Sequence, residues 1–415
     1  MCGVSVAIRP AVLWVKTARE TRGFDTRVTN VARGIFGSRK EVRFMSEELY
    51  DVAICGAGPA GSTAAILLAQ QERQIVLIEG RSFPADDKAG VWLGAKAQPL
   101  LATLGIRDNP LFKKSFAQVT FYSADFTKTI APAFDGPAGF LLNRGELDSL
   151  LAETARKAGA TVADGFMIDQ LTLEESKAVI VNEKEQRFES KLLMLATGRE
   201  SPLVQRCGFR TGRSVQALWT AQVDHECDKE QKGDPLVVVV LGLNKRGSFG
   251  MICRHGKQLS LSVHWIGEPR DATPGLISMC KLAQEHDIID VDLAKRAAGA
   301  PVIGSPASAA LEYDSHVGKH SLLIGDAGGF VAAASNEGIY PAMWSAQIAA
   351  DVINAALASP YSQDELMAFD TKWRIEMADY LRSPNTDPQF LLPLVFSNQA
   401  MADRMGAAFF VGENI

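Results

Sequence analysis

The rhythm of apolar and polar positions changes several times along this chain. Tyr50–Cys55 and Gln74–Ile78 are apolar runs of strand length, and between them lie a glycine-rich turn and an apolar segment long enough for a helix. A loop holding Phe83-Pro84 follows, then a helix near 95–104. Residues 117–131 alternate as a strand does, with Val119, Phe121, Phe126 and Ile130 as the apolar positions. Over 145–158, Leu147, Leu150, Leu151 and Ala155 stand at helical spacing. Residues 161–180 give two short strands, and 190–197 reads as a buried strand.

The stretch 214–266 holds four strand-like runs, Val215–Val223, Pro235–Leu241, Ser248–Cys253 and Gln258–Ile266, separated by short turns. That pattern predicts an antiparallel sheet, suited to walling a substrate pocket. An α/β pattern returns with Ser321–Ile324 and a long helix near 338–357, and the segment about 363–410 is largely helical. The expected class is α/β: a Rossmann-type domain interrupted by a mixed or antiparallel β-sheet substrate domain, with a helical C-terminal segment. Residues 48–115 with 140–210 and 315–358 form the first domain. Residues 116–139 with 211–314 form the second, and 359–415 the helical segment.

Composition narrows this little. Of 415 residues, 47% are apolar and 22% charged, enough for a sizeable core. The net charge of −5 comes without a basic stripe, so no nucleic-acid partner is expected. No apolar run reaches the roughly 18 residues that cross a bilayer. The six cysteines lack CxxC spacing, which argues against a zinc or iron–sulfur site and reads as reduced thiols in a cytoplasm. Residues 1–44 are Arg-rich with a brief apolar patch, Ala11–Val15, and are expected to be a dispensable extension ahead of Met45.

Chemistry enters at the first turn. Gly56-Ala57-Gly58-Pro59-Ala60-Gly61 is GxGxxG directly between a strand and a helix. Gly56 permits the tight turn, Gly58 lets backbone approach a pyrophosphate, and Gly61 lets helix pack on strand. The helix N-terminus then offers N–H groups to phosphate. The second strand ends in Glu79, followed by Gly80 and Arg81. A carboxylate about 20 residues past the turn accepts from ribose hydroxyls and repels a 2′-phosphate. Far downstream, an apolar strand ends in Gly325-Asp326, and Asn336-Glu337-Gly338-Ile339 opens a helix. The short carboxylate suits a ribityl or ribose hydroxyl, and the glycine at the helix start suits approach to a flavin ring. The positive helix end would favour charge on a reduced flavin.

These motifs, in this order, resemble the FAD-dependent superfamily of para-hydroxybenzoate hydroxylase, geranylgeranyl reductases and flavin-dependent halogenases. The likeness covers roughly 48–357. It implies a glutathione-reductase-like FAD fold in which Gly56, Gly58, Pro59, Ala60, Gly61, Glu79, Gly80 and Arg81 serve the ADP half. It implies that Arg144 reaches the pyrophosphate side and that the backbone at Ile168 meets adenine. Thr197 and Gly198 belong to the family's middle motif, while Gly325, Asp326, Gly338 and Ile339 meet the ribityl chain and ring.

The chain also departs from each branch. Ala89 stands where the reductases carry a Cys, and Thr197-Gly198 where the hydroxylases carry Asp-Gly. The halogenases' paired-Trp motif is not found. Ala333 and Asn336 replace a Pro and a Gly of the downstream motif. No second GxGxxG exists for a nicotinamide nucleotide, so FAD is the one resident cofactor expected. NAD(P)H would bind transiently, or a separate reductase would supply electrons.

Beyond the cofactor, His255, His264 and Trp265 fall in the sheet region, where an imidazole could deprotonate a phenol or indole-type substrate or be a surface or hydrogen-bonded structural residue. Trp219 and Trp265 fit core positions, and Trp92 and Lys96 could face substrate. His225 reads as part of a solvated turn. Glu337 is expected to cap the helix it precedes, or to steer protons. The apolar cluster Phe390–Phe396 around Pro393 is expected to pack on the core or meet a lipid or protein surface. The expected activity is oxygenation of an aromatic or apolar substrate, with reduction of a lipid alkene, or action on a partner protein, as alternatives.

Overall fold

The computed structural model describes residues 45–85, 89–199, 201–210, 218–229, 235–244, 246–360, 362–383 and 388–413, which fall in one compact unit. The expectations about residues 1–44 lie outside these residues.

The chain opens with β1 (Met45–Cys55), α1 (Pro59–Ala69) and β2 (Ile75–Glu79). After β3 (Gly90–Gly94) and β4 (Gly139–Asn143) come α2 (Arg144–Ala158), β5 (Thr161–Asp164) and β6 (Arg187–Leu195). Much later, after a separate sheet has intervened, the chain returns with β11 (Ser321–Leu323) and α4 (Ile339–Ala358). Strands β11, β6, β1, β2 and β5 lie side by side, all parallel, with Val52 opposite both Leu192 and Ile75. Residues Val52–Cys55 are fully buried, as a doubly covered parallel sheet requires. α1 is buried on every side between α2 and α4, which explains its composition of small and apolar residues with no charge. The Asn143 side chain caps α2 by accepting from the Glu146 N–H.

The interrupting sheet is built from β7 (Leu218–Glu226), β8 (Leu236–Leu241), β9 (Phe249–His255) and β10 (Gln258–Ile266). It runs Val302–Ser305, β7, β10, β9, β8, Thr120–Ser123, Thr129–Ile130; its neighbours are antiparallel except that β8 and Thr120–Ser123 run parallel. The single strand expected over 117–131 is thus two short ones, because Phe126 turns the chain at φ +58. Helix α3 (Ala272–Glu285) covers one face, where Ala221, Val223, Leu261 and Val263 are buried against Leu276 and Met279.

After α4 come α5 (Ser362–Leu381), α6 (Pro388–Val395) and α7 (Gln399–Gly406), then a π-helical turn over Ala407–Val411. Pro393 sits inside α6. Leu391, Leu392 and Val395 pack on the sheet side, whereas Phe390 is 80% and Leu394 50% exposed, so only part of that cluster joins the core. Phe409 and Phe410 pack against Trp92 and Phe249.

Candidate functional site

The first turn forms as its glycines require. Gly56 sits at φ +105, and a Cβ there would come within 2.3 Å of the Ala196 carbonyl oxygen. A Cβ on Gly61 would lie 1.8 Å from the Gly56 oxygen. Gly58 is different: its nearest neighbour would be Arg144 Nη2 at 3.4 Å, so this glycine leaves room beside a cation. No side chain caps α1 at Gly58, which leaves the Ala60 and Gly61 N–H groups without an intrahelical partner at its first turn. Glu79 accepts from the Ala57 N–H at 2.9 Å and from the Arg81 N–H at 3.0 Å, which ties the end of β2 to the turn. Buried Asp148 holds two guanidiniums in place, Arg144 at 2.9 Å and Arg81 at 3.5 Å.

A cleft of about 530 Å³ starts at this turn and runs to the interrupting sheet. Twelve of the residues singled out in the sequence line it: Gly56, Gly58, Pro59, Ala60, Glu79, Arg81, Arg144, Thr197, Gly198, Asp326, Gly338 and Ile339. Gly61, Gly80 and Gly325 lie behind the wall they shape. The Ile168 side chain packs with Phe166 and Phe188 and does not line the cleft; its neighbour Met167 lies over Gly80 instead.

Gly325 donates its N–H to Ser345 Oγ at 3.0 Å, and Asp326 faces the start of α4, so that a Cβ on Gly338 would lie 3.4 Å from Oδ1. Burial pushes the Asp326 carboxyl above its usual range, with Arg144 and Arg199 opposing. Beneath this loop, buried His316 donates from Nε2 to the Gly328 carbonyl at 2.7 Å and faces Asp370 with its other nitrogen at 3.4 Å.

The far wall is the surprise of the site. Thr220, Gln222 and Asp224 on β7 stand opposite His264, Ser262 and Ser260 on β10. With the exception of Asp224, all of these line the cleft, joined from β9 by Met251 and Cys253. One sheet face is therefore polar toward the cleft while its back is apolar against α3. The sequence carried the signal, since Ser260-Leu261-Ser262-Val263-His264 alternates strictly. Such alternation ordinarily marks a face in bulk water; here the polar face looks onto the cofactor-side domain.

His264 takes the hydrogen-bonded structural place of the two roles open to it. It is buried, stacked on Phe249 with centroids 4.5 Å apart, and burial drives its pKa down to about 3. Asn336 Nδ2 donates to its Nδ1 at 2.8 Å, and its Nε2 lies 3.2 Å from Ser262 Oγ, so the neutral imidazole is a fixed link in a hydrogen-bond network. Asn336 adopts φ +56, the left-handed conformation where glycine would be easier, and its carbonyl accepts from Ser305 Oγ. His255 and His225 lie away from this cleft, around a second one; His225 is on β7 rather than in a turn and pairs with Arg296. Trp219 and Trp265 pack with the α3 core, Trp92 lines the cleft, and Lys96 lies outside it over the Tyr380 ring.

Glu337 does not cap α4. Its carboxylate accepts from the Gly94 N–H at 2.7 Å and from the Tyr380 hydroxyl, and no side chain caps that helix. Burial pushes its pKa up to about 7.

The arrangement fits a flavin dinucleotide on three observations. Helix α1 presents uncapped N–H groups beside two guanidiniums, where phosphates need charge. Thr197 Oγ1 is buried without a hydrogen-bond partner inside the cleft wall. Asp326 and Gly338 converge at the other motif. Among the described residues no cluster suited to a metal ion occurs, and no helix is long and apolar enough to cross a membrane.

The parallel sheet, its glycine turn and the inserted antiparallel sheet define the class of two-part dinucleotide-binding flavoproteins. Residues 49–322 match the FAD binding domain family, and the chain belongs to it; it is an FAD-dependent oxidoreductase. It is 25% identical over 351 residues to digeranylgeranylglycerophospholipid reductase of Methanocaldococcus jannaschii, covering 81% of this chain and 85% of that one. Among solved structures it is similar to a geranylgeranyl bacteriochlorophyll reductase-like protein from Thermoplasma acidophilum, with a TM-score of 0.64, 17% identity and coverage of 88% and 89%. The flavin-dependent brominase Bmp2 gives a TM-score of 0.62 at 19% identity, over 87% of this chain and 94% of its own. These two structural likenesses are likenesses of fold.

Proposed function

We propose that this protein is an FAD-dependent monooxygenase that hydroxylates a compact aromatic substrate bearing hydrogen-bonding groups. The observation that carries this reading is the polar sheet face. Thr220, Gln222, Ser260, Ser262 and His264 are hydrogen-bonded to one another or to Asp224, Asn336 and the Gly90 carbonyl, and an isoprenoid chain laid along them would meet none of the donor and acceptor capacity they still turn toward the cleft. A ring carrying hydroxyl, carbonyl or amide groups satisfies them, while Val91, Trp92 and Met251 supply apolar contact. The absence of a thiol at position 89 points the same way.

FAD would lie with its pyrophosphate at Gly58, Ala60 and Arg144, its ribose at Glu79, its ribityl chain at Asp326 and its ring against Gly338 and Ile339. When bound it supplies the two-electron chemistry and the activation of oxygen. The chain's own residues orient substrate across the sheet face, hold His264 neutral and exclude water. Electrons would come from NAD(P)H binding transiently or from a separate reductase. We read the domains as cofactor-binding over 48–115, 140–210 and 315–358 and substrate-binding over 116–139 and 211–314. The five described cysteines are all free, which supports a cytoplasmic setting.

The second reading, reduction of a lipid alkene, draws on the reductase relative. One experiment separates the two: NAD(P)H-dependent turnover with isotope-labelled oxygen, offered substituted phenols and N-heteroaromatics on one side and prenylated lipids on the other. Labelled oxygen in a hydroxylated ring is the expected result. Anaerobic saturation of a prenyl chain, with no oxygen incorporated, would overturn the proposal.

A further inference from the structure

The Glu337–Tyr380 pair is not used by any step above. Its carboxylate is 2% exposed and sits immediately before Gly338 and Ile339 at the end of the cleft assigned to the flavin ring. Among the described residues no cation stands within ion-pair distance of it. One oxygen is held by a backbone N–H of β3 and the other by the phenol of Tyr380 on α5. Its hydrogen bonds come from neutral donors, and the Lys96 ammonium acts on it only from beyond ion-pair distance, so the buried carboxylate retains the option of binding a proton.

The phenol continues the path outward. The Tyr380 ring is buried and edge-packed on Tyr340 and Trp344, and Lys96 Nζ lies over it, 5.5 Å from the centroid. Lys96 and Tyr340 line a separate surface groove with Val411. Carboxylate and phenol thus form a hydrogen-bonded pair between the interior cleft and the side of the molecule where Lys96 lies over the phenol ring. The titratable and charged groups facing Glu337 are Lys96 after β3, Tyr340 on α4 and Tyr380 on α5; Glu376, one turn before Tyr380, accepts from the Trp344 indole at 3.4 Å.

We propose that Glu337 and Tyr380 form a redox-linked proton site, in which the Glu337 carboxylate takes up one solvent proton through the Tyr380 hydroxyl as the bound flavin is reduced. This rests on the reading that places the ring against Gly338. Transfer of a hydride from a nicotinamide donor breaks its C–H bond and adds one negative charge beside Glu337. Tyr380 gives its hydroxyl proton to Glu337 Oε2 and regains one from solvent. The net change is one proton from solvent for each hydride received, and the local charge is restored. A group poised with a pKa near neutrality, as burial makes Glu337, suits this exchange.

Two measurements test it. In the flavin-free protein, difference infrared spectroscopy should show a protonated-carboxyl band titrating near pH 7, missing from Glu337→Gln and shifted in midpoint in Tyr380→Phe. In the FAD-loaded protein, anaerobic reduction by dithionite near pH 7.5, followed with a pH-sensitive dye in unbuffered solution, should consume about one proton fewer per flavin in Glu337→Gln than in the parent. Tyr380→Phe should keep the stoichiometry and slow the uptake. A parent carboxyl band that titrates in the ordinary carboxylate range, or equal proton uptake by parent and Glu337→Gln, overturns the proposal. Should Glu337→Gln fail to fold, the parent band and its shift in Tyr380→Phe decide alone. An FAD that binds elsewhere leaves the infrared band intact but abolishes the difference in uptake, so failure of the placement is told apart from failure of the proton site.

Discussion

The two ends of the cleft hold their polar groups by opposite means. At the turn after β1, order comes from formal charge: Arg81 and Arg144 share Asp148, and Glu79 gathers backbone N–H groups. At the far end it comes from neutral hydrogen bonds, with His264 linked to Asn336 and Ser262, and Glu337 linked to Gly94 and Tyr380. At the first end the guanidiniums are part-exposed and keep solvent, and the burial of Asp148 is offset by its two ion pairs. The second is dry, and burial moves the pKa of each ionisable group toward its neutral form. A phosphate needs fixed charge; a reacting ring needs shape and movable protons. The same fold supplies both because one end opens on a helix N-terminus and the other closes under the C-terminal turn.

The comparison breaks first at the glycines. Gly61→Val puts side-chain atoms into the Gly56 carbonyl, so loss of folded protein is expected, with destabilisation beyond about 4 kcal/mol in thermal or urea unfolding. Gly58→Ala has room within the protein and should melt like the parent, yet bind FAD more weakly because the methyl group occupies the phosphate approach. If Gly58→Ala binds FAD normally, the pyrophosphate does not lie there.

The dry end should show itself in the pH dependence of stability of the flavin-free protein. His264, lowered from 6.5 to about 3, favours the fold while neutral; its contribution is lost as pH falls from 6.5 toward 3, by about 5 kcal/mol in all. Glu337, raised from 4.5 to about 7, favours the fold while protonated; its contribution is lost as pH rises from 4.5 to 7, by about 3 kcal/mol. Between 4.5 and 6.5 the two slopes oppose each other. Urea midpoints of His264→Gln should therefore fall as pH rises through that window, and those of Glu337→Gln should climb. Parallel profiles in the two variants would show that burial does not set both groups.

A smaller effect is expected at Asp326. Replacing it with Ala should weaken FAD binding by about 1–3 kcal/mol through the loss of one or two hydrogen bonds, and Asn should cost less. The fold should survive because Leu322, Leu323 and Ile324 remain buried. Flavin titration beside circular dichroism distinguishes a binding residue from a structural turn.

How much of this was legible in sequence divides along the same line. The charged end was readable because its requirements are local: a glycine at positive φ, a helix start, an acid at the end of the next strand. The order of sheets and the long α4 followed from hydrophobic period. The neutral end was not readable. Alternation in β7 and β10 identified two faces, but not that the polar one would be enclosed. Glu337 looked like a helix cap because its partners, Gly94 and Tyr380, lie 243 and 43 residues away in sequence. The two roles open to His264, base and structural residue, could not be separated because its desolvation depends on long-range packing such as that of Phe249.

The smallest expected effect concerns Asn336, where conformation and hydrogen bonding can be separated. The residue stands at φ +56, a cost of about 1 kcal/mol that glycine would not bear. Against this, Nδ2 donates to His264 Nδ1 at 2.8 Å and to Thr220 Oγ1 at 3.1 Å, worth about 1 kcal/mol each. Asn336→Gly relieves the strain and loses the bonds, so stability should change by less than about 1 kcal/mol. Asn336→Ala keeps the strain and loses the bonds, and should cost about 2 kcal/mol. In both variants His264 Nδ1 loses its amide donor, so the ring is free to change tautomer; nitrogen chemical shifts of labelled histidine should show a mixture in place of the single Nε2–H form. If Gly and Ala variants are equally destabilised, the left-handed backbone at 336 carries no strain, and the network alone holds that corner of the cleft. If the tautomer stays pure in both, Thr220 rather than Asn336 orients the imidazole.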